Sequence, residues 1–240
     1  MTPASLLHRS EALNPAVFPR AAEPLEEVGA EAPGDVGAAL AFALSRLVSA
    51  RLTSAPNETR PVALVTTADW LAERGRPFAG GMRDWGLGAD RLIWVRARRE
   101  GEALWALEEV LKSGTAAGGL VVAAAPPFVT TRRLEFAARE GQAVGILLRA
   151  GPAGDLSAAR RRWRIAARPS GLDAWDADAP GTVRLRAELL RRRDGPPGAW
   201  DLEQDDETGG FRVAAGLAGH GVDEGERPGD ERGDGRRAVA

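Results

Sequence analysis

Residues Glu26–Leu44 read EEVGAEAPGDVGAALAFAL, and their order decides the fold. A short strand-like entry, Leu25–Val28, leads to Gly29, four residues, Gly34, and then a long helix with an apolar face. Two glycines at that spacing between a strand and a helix make the pattern of a phosphate-binding loop. In such a loop, backbone N–H groups and the helix N-terminus cradle the anion. The pattern also requires a lysine and a hydroxyl residue directly after the second glycine. The lysine offsets the triphosphate charge and the hydroxyl holds Mg²⁺. Asp35 and Val36 stand in those two places. Asp35 sets an anion where phosphate oxygens would lie, and like charges in a confined site repel strongly. Aspartate is also a good helix N-cap, so the helix is expected to begin without a ligand.

Outward from this loop, strands and helices alternate. The helix after Asp35 places Val36, Ala39, Leu40, Ala43, Leu44, Leu47 and Val48 on one face. Strands are expected at Pro61–Thr66, Arg91–Val95, Gly119–Ala125 and Ala143–Leu148, with helices at Glu102–Lys112 and Thr131–Glu140. The region of Trp70 and Met82 reads as helical or irregular. The apolar runs GLVVAAA and AVGILL suit strands covered on both faces of a parallel sheet. Further on, Arg162–Arg168 and Thr182–Leu190 alternate strictly, as half-buried antiparallel strands do. Ala199–Glu203 and Phe211–Val213 flank the turn-rich DDETGG and predict a hairpin. The fold class expected is α/β, a RecA-like (P-loop NTPase-type) three-layer domain with a mainly parallel sheet and C-terminal antiparallel strands. The third core strand, GLVVAAAPP, carries no acid to orient a Mg²⁺-bound water, and Asp69 is the lone acid after the strand before it. ATP hydrolysis is therefore not expected.

Composition narrows the chemistry further. There is no cysteine, which removes disulfides, zinc–thiolate sites and thiol nucleophiles. The two histidines, His8 and His220, lie near the ends, so no metal site or cofactor is expected. Lys112 is the only lysine; the arginine excess reads as coding bias before it reads as nucleic-acid binding. No apolar run reaches the roughly 18–20 residues of a membrane span, and Met1–Arg20 lacks a signal core. A cytoplasmic bacterial protein is expected. Its parts read as a flexible leader at 1–24 (one short helix at most, around Ser5–Leu13), a domain at 25–215, and a Gly/Asp/Glu/Arg/Pro tail at 216–240 expected to be disordered.

The runs VALVTTADW, MRDWGLGADRLIWVRARREGEALWALEEVLKSG and RRLEFAAREGQAVGILLR resemble the ImuA family of RecA-related inducible mutagenesis proteins, in its alphaproteobacterial form. The closing segments RRRWRIAARPS and LRAELLRRRDGPPGAWDLEQDDETGGF resemble the end of that family. The likeness spans roughly Leu25 to Val213 and is most specific at GLGADRLIWVRAR…ALWALEEVL. It implies a non-catalytic RecA paralogue of the SOS response, acting in DNA repair by translesion synthesis. The implied partners are the Y-family polymerase homologue ImuB, RecA, and, indirectly, an error-prone C-family DNA polymerase. A SulA-like cell-division inhibitor and a RecA-like ATPase with a displaced nucleotide site are the alternatives.

Two basic clusters and one aromatic residue are candidate contacts for DNA or a partner. Arg160, Arg161, Arg162 and Arg164 follow the strand AVGILLR; they suit phosphate or form the solvated face of a helix from Asp155. Arg191, Arg192 and Arg193 precede Asp-Gly-Pro-Pro at a strand end. Trp105 follows Leu104 at the border of an apolar stripe and is expected to be partly exposed, as an interface anchor would be. Trp94 is expected in the core.

Overall fold

Nine strands form one sheet in the order β3-β2-β4-β5-β1-β6-β7-β8-β9. This computed structural model describes residues 17–214 apart from 55–57, 86, 151–155, 174, 177, 194 and 206–209. The short helix expected around Ser5–Leu13 and the tail from 216 lie outside the described residues. The strands are β1 Leu25–Ala30, β2 Val62–Thr67, β3 Leu92–Ala97, β4 Gly118–Ala123, β5 Val144–Arg149, β6 Arg161–Arg168, β7 Arg184–Arg192, β8 Gly198–Gln204 and β9 Phe211–Val213. The helices are α1 Val36–Ser54, α2 Ala68–Arg74, α3 Ala79–Asp84, α4 Glu100–Ser113 and α5 Phe128–Glu140. The α/β class, the mainly parallel sheet and the antiparallel end are as the sequence predicts.

Two apolar layers sandwich the sheet. On one face α1 packs Ala39, Phe42, Ala43, Leu44 and Leu47 against Leu64, Ile146 and Leu148, and this layer continues under Leu185, Leu189 and Leu202. On the other, Leu104, Leu107 and Leu111 of α4 and Leu134 of α5 cover Val65, Val121 and Leu147. Strand β4 is buried along its whole length because both layers cover it. Helix α4 carries Glu100 and Glu102 in its first turn and Lys112 in its last, matching the helix dipole, and stops at Gly114 in the left-handed region (φ 66°).

Three details differ from the sequence reading. Strand β6 runs parallel to β1 and antiparallel to β7, so it joins the two halves of the sheet and is not purely part of the antiparallel end. Strand β3 is a sheet edge: Trp94 is only half-buried and its indole N–H donates to Thr66 Oγ1 at 3.1 Å. An edge strand leaves one side of its tryptophan uncovered, which alternation within one strand does not reveal. Finally, the packed domain begins before Leu25. Phe18 lies among Trp163 and Trp200, and Arg46 donates to the carbonyls of Pro19, Arg20 and Ala21, so the end of the leader is bound to the domain.

Candidate functional site

Ligands of open parallel sheets bind beyond the carboxyl ends of the strands, here the ends of β1, β4 and β5. Strand β1 runs through Gly29 to Ala30, and Gly29 pairs with Arg149 of β5 on one side and Arg164 of β6 on the other. Gly29 is therefore strand backbone and not the loop. Its φ is not positive, and a Cβ there would meet Trp163 O at 3.8 Å and Arg149 Cβ at 3.9 Å, ordinary contacts. At Gly34 a Cβ would meet nothing within 4 Å. Neither glycine answers a steric demand of the fold.

Pro33–Asp35 forms a single 3-10 turn ahead of α1. Asp35 does not cap α1 in the forward direction that the sequence suggested. One carboxylate oxygen accepts the Ala32 N–H at 3.1 Å, behind it, and the other accepts the Ala167 N–H of β6 at 2.9 Å. The carboxylate ties the turn to the neighbouring strand. Val36, in the place of the Mg²⁺-holding hydroxyl, is buried.

At the end of β4, the Ala124 and Ala125 N–H groups donate to Glu100 at 2.8 and 3.4 Å. Glu100 is an acid near this edge that sequence reasoning missed, because its helix starts two residues earlier than the apolar spacing implies. Asp69 lies exposed in the first turn of α2, where Thr67 supplies the cap by accepting the Trp70 N–H at 3.2 Å.

Below this edge, β1 carries two consecutive buried acids that sequence reasoning also passed over. Glu26 faces α1 and is 0% exposed. It accepts from Arg46 at 2.7 and 3.0 Å, from Trp163 Nε1 at 3.0 Å and from Arg161 at 3.3 Å. Burial by itself would push its carboxyl up. The charge and hydrogen bonds of Arg46, the Glu23 N–H and the charge of Arg161 outweigh that and hold it below the ordinary value. Glu27 faces the opposite layer, with Arg162 at 3.3 Å and Arg149 at 3.8 Å. The alternation of strand side chains sends the two acids to opposite faces.

These acids decide where the first arginine cluster goes. The run lies on β6 and the residue before it, not on a helix from Asp155. Arg161 is 4% exposed; besides Glu26, it donates to the Ala21 carbonyl. Arg160 binds Glu23 at 2.5 Å, and Arg164 binds Glu188 at 2.6 Å. The reading of this run as the solvated face of a helix is corrected: each of the four arginines pairs with an acid of the same chain. The second cluster is more open. Arg191 and Arg193 are exposed, Arg192 is half-buried, and Arg191 donates to the Ser157 carbonyl at 3.3 Å. Trp105 is 60% exposed on the outer side of α4. The structure does not bring Trp105 and the arginine clusters into one site.

No group of three or more potential ligands that could hold a metal ion occurs among the described residues, and none of their helices is long and apolar enough to cross a membrane.

Among known proteins, no family model matches the chain. Among solved structures, SulA from Pseudomonas aeruginosa aligns at 23% identity and a TM-score of 0.37, covering 52% of this chain and 97% of that one. Protein ImuA of Caulobacter vibrioides, from strains NA1000 / CB15N and ATCC 19089 / CIP 103742 / CB 15, is 35% identical over 238 residues, covering 92% of this chain and 93% of the relative. With that identity over nearly the whole of both chains, the chain belongs to the ImuA family.

Proposed function

We propose that this chain is a non-catalytic RecA-like accessory protein of damage-induced translesion DNA synthesis. In this reading it works by contact with an ImuB-like Y-family polymerase homologue and with RecA. An error-prone C-family DNA polymerase is engaged indirectly. The observation that carries the reading is Asp35, whose carboxylate occupies the helix entrance and is tied to Ala32 and Ala167. An anion held there opposes a triphosphate, and no acid stands on β4 to orient a metal-bound water. A domain so built offers surfaces in place of chemistry. Trp105 and the exposed Arg191 and Arg193 are the candidate contacts that remain accessible, and a weak DNA contact would use the two arginines.

The test is an affinity capture of the tagged chain from DNA-damaged cells, repeated with purified ImuB-like protein and RecA without nucleotide. Direct, nucleotide-independent binding of either is expected. Capture of neither, together with cell filamentation on overexpression and an unchanged damage-induced mutation rate, would contradict the reading and favour a division inhibitor.

A further inference from the structure

Strand β3 ends the sheet on one side with 6 residues, whereas the other edge strand, β9, has only 3. Within the chain β3 packs on β2 and α4, and among the described residues no strand pairs with its outer edge. The ladder with β2 shows which backbone groups are left over. Val62 lies opposite Leu92, and its N–H donates to the Arg91 carbonyl at 2.9 Å. A parallel strand bonds its neighbour through alternate residues, so Arg91, Ile93, Val95 and Ala97 face β2. The N–H and C=O groups of Leu92, Trp94 and Arg96 therefore point away from the sheet. Sheet edges are guarded by cover, bulges, proline or charge. The register of β3 with β2 is unbroken, the strand holds no proline, and Arg96 is its one charged residue. Ile93 is 43% exposed and Trp94 half-buried, so the edge is apolar as well as open.

We propose that two copies of this chain join through β3, antiparallel about a two-fold axis at Trp94. The spacing of the free groups selects a second copy. Leu92 and Arg96 flank Trp94 evenly, so with the two Trp94 residues opposite each other every outward N–H and C=O of the edge meets a partner. Charge selects the same register, because it brings Asp90 of each copy level with Arg98 of the other. Asp90 has a side chain 77% exposed and pairs only with the adjacent Arg91 in its own chain. Arg98 is exposed and has no ion-pair partner among the described residues, its backbone N–H alone meeting Glu102. Arg96 falls opposite Leu92, so no like charges meet. Each Trp94 also lies against the other and covers the side that the edge leaves open, a cross-strand aromatic pair.

The contact uses the same patch on both molecules, so it closes at the dimer, with one sheet running unbroken through the axis. This inference is independent of the proposed role in translesion synthesis, since it concerns an edge remote from Asp35 and is read from assembly state alone.

Sedimentation velocity on the full chain, up to on the order of 100 μM, is expected to show a monomer–dimer equilibrium with no larger species. Arg98→Glu sets like charges across the axis and is expected to weaken the dimer about tenfold. Combining it with Asp90→Arg makes the charges opposite again and is expected to restore the dimer. The chain has no cysteine, so introduced thiols report the register. Ile93 of one copy faces Val95 of the other at about 4.5 Å between Cα atoms, within disulfide reach. Ile93→Cys mixed with Val95→Cys, each checked for folding by circular dichroism, is expected to give a disulfide-linked dimer under mild oxidation that neither gives alone. A chain that stays monomeric, assembly beyond the dimer, a charge reversal that the double change does not rescue, or equal cross-linking in all three samples would each overturn the proposal.

Discussion

Asp35 fixes the turn ahead of α1 through its carboxylate. A lysine there would project a cation toward a ligand, whereas the aspartate accepts two backbone N–H groups and joins the turn to β6. Asp35→Ala is expected to cost about 1 kcal/mol, the usual size of such a cap, read as a lower urea midpoint with an unchanged slope. Gly34→Ala, with open space around its Cβ, is expected to stay within about 0.5 kcal/mol of the parent. A large loss there would mean that the glycine still serves a close approach. Glu26 poses a different question, of buried charge. Removing one partner of a buried ion pair typically costs about 3–5 kcal/mol, so Glu26→Gln is expected to destabilise strongly at neutral pH. Its folded pKa lies below the ordinary 4.5. The stability it contributes is present above pH 4.5 and is lost as pH falls through the folded value. Parent and variant should therefore converge in acid; a constant gap across the acid titration would show that charge is not what Glu26 contributes.

Among the elements, the strands and the helices α1, α4 and α5 of the parallel half follow from apolar periodicity and are placed by the sequence within a few residues, whereas α2 and α3 read there only as a helical or irregular stretch. What periodicity leaves out is set by partners distant along the chain. The edge position of β3 depends on strand order, so Trp94 reads as core until the sheet is seen. The parallel pairing of β6 with β1 is equally long-range. The arginine run on β6 looks like a solvated face because its partners, Glu23, Glu26 and Glu27, lie some 135 residues earlier. The packing of α4 on α5 is another contact of this kind. A Cβ on Gly141 would fall 1.8 Å from the Leu111 carbonyl oxygen and 3.0 Å from its carbon, both rigid backbone. Gly141→Ala is accordingly expected to cost about 1–3 kcal/mol by overpacking and to lower the thermal midpoint. A neutral result would mean that the two helix ends can separate freely.

On the scale of the whole molecule, a nine-stranded, mainly parallel sheet lies between two apolar layers. Asp35 and Val36 stand where a phosphate-loop pattern would carry a cation and a hydroxyl, alanines end β4, and the acids at the sheet centre pair with arginines of the same chain. The positions of Asp35, Val36 and the β4 alanines are legible in the sequence because they sit at fixed spacing from glycines and apolar runs. The buried ion pairs are not, since a strand reading EE says nothing of which arginine meets it. The chain belongs to the ImuA family, and the role proposed for it is that of a protein acting through its surfaces. The most direct test is titration of the purified chain with a fluorescent ATP analogue, with and without Mg²⁺. No saturable binding is predicted up to millimolar analogue; tight, Mg²⁺-dependent binding that is abolished by substituting Gly34 would contradict it.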